Sequence, residues 1–218
     1  RVTGNTARGG GVGGIEIVLS VDARLDSVLV HGNTGGMTGG IGFGIFNDLE
    51  TGLDIGEGWI MMTNVTMSSN TAVHGDGGGL CIMAIGGGVL RGCTVSGNRG
   101  VRGGGLAIAE GAKLEVHDCT VDQNEAEKCG GGLFHSSELP VEVGGDVSIS
   151  GNTANFGAGM CLSRLAPGSN MCGAEADEYP LMTTVEFGAA LSLERNVAII
   201  AGGGMYLNCV NPRQATID

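Results

Sequence analysis

The chain has 218 residues, 44 of them glycine, with 42% hydrophobic residues and a formal net charge of −12. No Gly-x-y period runs through it, which excludes collagen, and the apolar content excludes a disordered glycine-rich linker. The acidic balance excludes nucleic acid as a partner, because phosphate binding needs clustered Lys and Arg.

In chain order one asparagine recurs at Asn5, Asn33, Asn70, Asn98, Asn124, Asn152 and Asn196. The spacings are 28, 37, 28, 26, 28 and 44 residues. Four of them define a basic unit, and the other two read as that unit with insertions near residues 46–58 and 164–180. Before the asparagine stands an apolar-x-apolar pair: Val28/Val30, Val65/Met67, Cys93/Val95, Cys119/Val121, Val147/Ile149 and Leu191/Leu193, with Val2 alone ahead of Asn5. After it come a small-residue turn, a glycine pair and an apolar residue. These read Gly13-Gly14-Ile15, Gly39-Gly40-Ile41, Gly78-Gly79-Leu80, Gly104-Gly105-Leu106, Gly131-Gly132-Leu133, Ala158-Gly159-Met160 and Gly203-Gly204-Met205.

Both submotifs alternate with period two, the mark of short strands with one buried face. Glycine every few residues opposes long helices, and the unit is too short for a βαβ crossover. Two or three strands per unit, stacked in parallel on their counterparts, bury what one unit cannot. The predicted fold is all-β: a right-handed parallel β-helix of about seven coils with no significant α-helix, one domain over residues 1–218. At about 4.8 Å per coil it makes a rod about 30 Å long. With only five Phe, two Tyr and one Trp, the core is a narrow stack of aliphatic residues. No apolar run approaches the roughly 18 residues of a membrane-spanning helix, so direct membrane insertion is not expected. The repeat starts and stops in mid-unit, as in a piece of a longer chain.

Within this geometry the asparagines are corner residues. Asparagine tolerates the left-handed conformation and can bond its own backbone, and stacked copies can bond one another. The glycine pair is expected to serve the next corner.

The Asn-then-Gly-Gly-apolar unit resembles the repeats of chlamydial polymorphic outer membrane proteins, which pair Phe-x-x-Asn with Gly-Gly-Ala-Ile. Here the Phe place holds Val2, Val30, Met67, Val95, Val121, Ile149 and Leu193. Similar repeats occur in large secreted proteins of algae and other protists. The resemblance implies a surface or matrix module, extracellular and adhesive or structural. Its partners would be other domains of the same long chain, other surface or matrix proteins, or glycans. The wider fold group also resembles pectate lyases and polygalacturonases, which implies the alternative of a polysaccharide lyase or glycoside hydrolase. However, no Asn-Thr-Asp, Asp-Asp or Gly-His-Gly motif is present. A filament or appendage subunit is the third reading.

Other candidate sites are few. The insertions carry Asp48, Glu50, Asp54 and Glu57, then Glu175, Asp177 and Glu178. They leave one edge of the rod, where Ca²⁺ or a basic partner could bind, although their spacing matches no calcium loop. Arg99 and Arg102 stand one coil from Asp122 and Glu125 as a salt-bridge group. Seven cysteines include no CxxC. Cys93 and Cys119 share a repeat position, so they form either a disulfide or a buried thiol stack, and Cys161 with Cys172 could staple the second insertion. The four histidines fall at different repeat positions and read as solvent-facing or turn residues. Asn64-Val65-Thr66 fits the N-glycosylation pattern but enters a strand.

Overall fold

The structure is a computed structural model that describes residues 1–18, 22–44, 58–83, 86–109, 111–137, 139–163, 185–187, 190–208 and 215–216. The described residues are strands and turns, with no helix among them. Each turn of the chain contributes one strand to each of four parallel sheets, and every strand pairs with its counterpart one coil later. The first, third and fourth sheets hold seven strands and the second holds six.

The first sheet carries the apolar residue ahead of each asparagine, in the register Val2, Val30, Met67, Val95, Val121, Ile149 and Leu193. The second sheet follows the asparagine, with Thr71–Ala72, Arg99–Arg102 and Glu125–Cys129 as typical strands. The third follows the glycine pair, from Ile15–Ile17 to Met205–Asn208. The fourth runs through Gly58–Thr63, Gly86–Arg91, Ala112–His117 and Val141–Gly144. Four strands per coil replace the two or three expected from the repeat. A left-handed residue separates the fourth-sheet strand from the first-sheet strand that follows it, as Gly92 at φ 60° does between Gly86–Arg91 and Thr94–Ser96.

The core is one apolar column stack that fills the rod, including Val30, Ile41, Ile60, Met67, Leu80, Leu106, Leu114 and Ile149. Alternation aims these side chains inward while their neighbours face out. Rings are nearly absent from it, as the composition implies, because coils about 4.8 Å apart favour aliphatic ladders.

At the asparagine corner the stacked asparagines bond one another while the residue before each makes the turn; at the next corner the expected role of Gly-Gly is corrected. The left-handed residue is the one before each ladder asparagine: Gly4, Gly32, Ser69, Gly97, Gln123, Gly151 and Arg195 all have φ between 52° and 67°. At the glycine-rich corner it is again the residue before the pair, as at Gly103, φ 60°. The pair itself is small because backbone passes close by. A Cβ on Gly104 would meet the Glu125 carbonyl oxygen at 2.3 Å.

Candidate functional site

The most regular constellation is the asparagine corner. Each of the five inner ladder asparagines uses its whole side chain. Asn70 shows the pattern: its backbone N–H and its Nδ2 both donate to Asn98 Oδ1, at 2.9 and 3.0 Å, and Nδ2 also donates to the Val30 carbonyl at 3.0 Å. The same bonds link Asn5, Asn33, Asn98, Asn124, Asn152 and Asn196 in one continuous ladder. Asn33, Asn70, Asn98, Asn124 and Asn152 are buried. A buried corner must satisfy its turning backbone without water, and one amide per coil does so. Both hydrogens are spent inside the protein, so the ladder offers a ligand nothing.

The outward face of the third sheet is also closed. Glu16, Cys81, Ala107, Phe134, Cys161 and Tyr206 share one register column. Cys81, Ala107, Phe134 and Cys161 are buried in a satellite cluster with Val12 and Cys129. The glycine corner folds over this face: a Cβ on Gly103 would lie 2.9 Å from Ala107 Cβ. Arg102 seals the same corner. It holds Asp76 through Nε and Nη2, at 3.0 and 2.6 Å, with its guanidinium 4.8 Å from the Phe134 ring centre. Arg102 therefore does not join Asp122 and Glu125. Arg99 does pair with Glu125, at 3.3 Å on the open surface.

The cysteines pair differently from the sequence expectation. Cys161 is bonded to Cys129, with Cα atoms 5.8 Å apart, and not to Cys172. The reason is the covered third-sheet face. Cys129 ends a second-sheet strand and turns onto that face, where Cys161 arrives one coil later. Cys172 lies outside the described residues. Cys93 and Cys119 are free buried thiols, which corrects the disulfide alternative for that pair. They stack as alternating donors and acceptors: Cys119 Sγ accepts from the Cys93 N–H at 3.3 Å and donates to the His117 carbonyl at 3.0 Å. Bonding with Cys93, together with burial, pushes the Cys119 thiol well up. Cys81 is pushed up to about 12 by burial and the nearby Asp76 charge.

His135 contradicts the solvent-facing expectation. It occupies an inward third-sheet position between Ile108 and Leu162. It is fully buried, with neither ring nitrogen hydrogen-bonded. Burial pushes it down to about 3, so the ring is neutral. Its place in an aliphatic ladder is visible only once the register is known.

One polar cluster escaped the sequence reading. On the outward face of the fourth sheet, Lys113, Glu115 and His117 alternate along one strand, and Glu142 stands opposite Glu115 on the next. Lys113 Nζ bridges the two carboxylates, at 2.9 Å to Glu115 and 2.7 Å to Glu142. His117 Nε2 lies 3.8 Å from Glu115. A Cβ on Gly144 would meet His117 Nδ1 at 2.6 Å, so that glycine makes room for the ring. The bridge holds the Lys113 ammonium above its usual range and the Glu115 carboxyl below it. Lys-x-Glu-x-His is readable in the sequence as an outward triplet; its partner Glu142 comes 27 residues after Glu115 and needs the register.

Asp48, Glu50, Asp54, Glu57, Glu175, Asp177 and Glu178 lie outside the described residues. Their insertions lead into the fourth sheet, whose second strand opens at Gly58. Among the described residues no group of three or more His, Cys, Asp or Glu could hold a metal ion.

These features define a parallel β-solenoid with an internal asparagine ladder. The chain belongs to the right-handed β-helix region family, whose pattern matches residues 1–171. No curated protein and no solved structure matches it.

Proposed function

We infer that this chain is an extracellular structural or adhesive β-helix module and not a catalyst. The observation that carries this is the fate of its most repeated polar group: the asparagine ladder spends every side-chain amide on neighbouring coils. What repeats in this sequence therefore builds a stiff rod. The resemblance to surface-displayed repeat proteins and the Cys129–Cys161 disulfide both agree with an oxidising compartment. The acidic insertions would serve as the contact edge, toward Ca²⁺ or a basic partner. Calorimetric titration with Ca²⁺ tests that contact: heat with a raised melting temperature would support it, and no heat and no shift would remove it. Surface labelling of intact cells tests the location, and an exclusively internal protein would overturn the reading.

The carbohydrate-active alternative draws on the Lys113, Glu115, His117 and Glu142 cluster, since paired carboxylates on adjacent coils are what sugar chemistry requires. Its electrostatics argue against proton transfer. A general acid or base works best with a pKa near the operating pH, whereas Lys113 and Glu115 drive each other away from neutrality. Incubation with acidic polysaccharides is expected to yield no new reducing ends and no unsaturated products. Product formation abolished by Glu115→Gln would install the enzyme reading instead.

A further inference from the structure

Two kinds of asparagine share this rod. The five inner ladder asparagines, Asn33 to Asn152, are buried with their amides fully bonded. Asn64 is the opposite. It forms the corner between Gly58–Thr63 and Thr66–Ser68, at φ 52°, and it is exposed. Its backbone N–H donates to the Arg91 carbonyl at 3.0 Å. No hydrogen bond of its side-chain amide occurs among the described residues.

The surroundings leave that amide room. The same corner in other coils is made by Ser27, Gly92, Asp118 and Gly145, all short and all left-handed. A Cβ at Gly92 would come 2.9 Å from Asn64 Oδ1, so the next coil supplies the space the side chain occupies. Thr66, two residues on, opens a first-sheet strand as a partly exposed residue, while Val65 between them is buried. The triplet Asn64-Val65-Thr66 therefore has its acceptor amide in solvent, which removes the objection that it enters a strand. The ladder asparagines differ in sequence too: Asn5, Asn33, Asn70 and Asn152 are followed by Thr and then by Ala or Gly, so the third place lacks a hydroxyl.

We propose that Asn64 is an N-glycosylation site. Asn64 Nδ2 forms a bond to the anomeric carbon of an oligosaccharide carried on a polyprenyl diphosphate. The bond from that carbon to the diphosphate oxygen breaks, the lipid diphosphate leaves with the electron pair, and Nδ2 gives up one proton. The glycan then projects from an outer corner of the rod and disturbs neither the core nor the ladder. This rests on the secreted reading of the chain.

The test is translation of the chain, behind a cleavable signal sequence, into microsomal membranes. The wild type is expected to gain one glycan that peptide N-glycosidase removes, leaving aspartate in place of the modified asparagine. Asn64→Gly keeps the left-handed corner and Thr66→Val keeps the strand; both are expected to abolish the gain, and Thr66→Ser to retain it. A wild-type chain that is protease-protected inside the microsomes yet unglycosylated overturns the site, as does an unchanged gain in Asn64→Gly. Because the microsome supplies the compartment, such a failure speaks against the site alone. A failed secreted reading would show instead as native protein confined within cells.

Discussion

Two corners of each coil turn the chain by the same backbone device and differ in everything else. Between the first and second sheets, a left-handed residue such as Gly97 or Gln123 precedes a buried asparagine. Between the fourth and first sheets, Ser27, Asn64, Gly92, Asp118 and Gly145 take the same conformation with no fixed partner behind them. The turn itself therefore does not need asparagine. Asparagine is needed where the turning backbone is buried and its polar groups have no water. At the exposed corner the turning N–H bonds the next coil's carbonyl, as Asn64 does with Arg91, no buried amide is required, the residue is free to vary, and individuality enters.

Breaking the buried corner has the largest expected effect. Asn98→Ala takes the acceptor from the Asn70 N–H and Nδ2 inside the rod and removes the side-chain donor to the Met67 carbonyl. The loss is about 4 kcal/mol, read as a lower urea midpoint. Next is the covalent tie on the closed face. Replacing Cys129 and Cys161 together by Ser frees a bridge whose cysteines lie 32 residues apart, which costs about 3.7 kcal/mol in the chain-entropy account. Calorimetry with and without reductant checks it: reductant should lower the wild-type melting temperature and leave the double variant unmoved.

His135 tests the inside against the outside by pH. The folded ring stays neutral down to about 3, whereas the unfolded ring takes a proton below about pH 6.5. The unfolded state then binds more protons, so stability falls as pH drops through that window, by up to about 1.4 kcal/mol per pH unit. His135→Leu matches the neighbouring Ile108 and Leu162, and acid titration of its unfolding free energy should lack that slope. The smallest effect belongs to the outward fourth sheet. Lys113→Met removes a solvent-facing bridge and is expected to cost no more than about 1 kcal/mol, shrinking further in high salt.

The same contrast explains what the sequence disclosed. Repetition exposes whatever every coil needs, so the asparagine, the glycine pair and the inward aliphatic places were legible as a parallel β-helix. Single-coil features were not. Four strands per coil were hidden because the left-handed residues between the fourth and first sheets, Ser27, Asn64, Gly92, Asp118 and Gly145, share no sequence signature of a corner. The Cys129–Cys161 bond and the Lys113 bridge to Glu142 join residues whose meeting depends on register. His135 looked like an ordinary polar residue because nothing local marks it as inward. The closed third-sheet face is hidden for the same reason: alternation points Phe134 outward, and only the folded glycine corner shows that outward is still covered.

The central claim is that the repeated asparagine is a structural tie whose importance comes from burial, not from turning. Equilibrium urea unfolding of Asn98→Ala beside Asn64→Gly tests it most directly. The account predicts a large drop in midpoint for the first and a change within about 0.5 kcal/mol for the second. Equal losses at the two corners, or an Asn98→Ala protein as stable as the wild type, would contradict it.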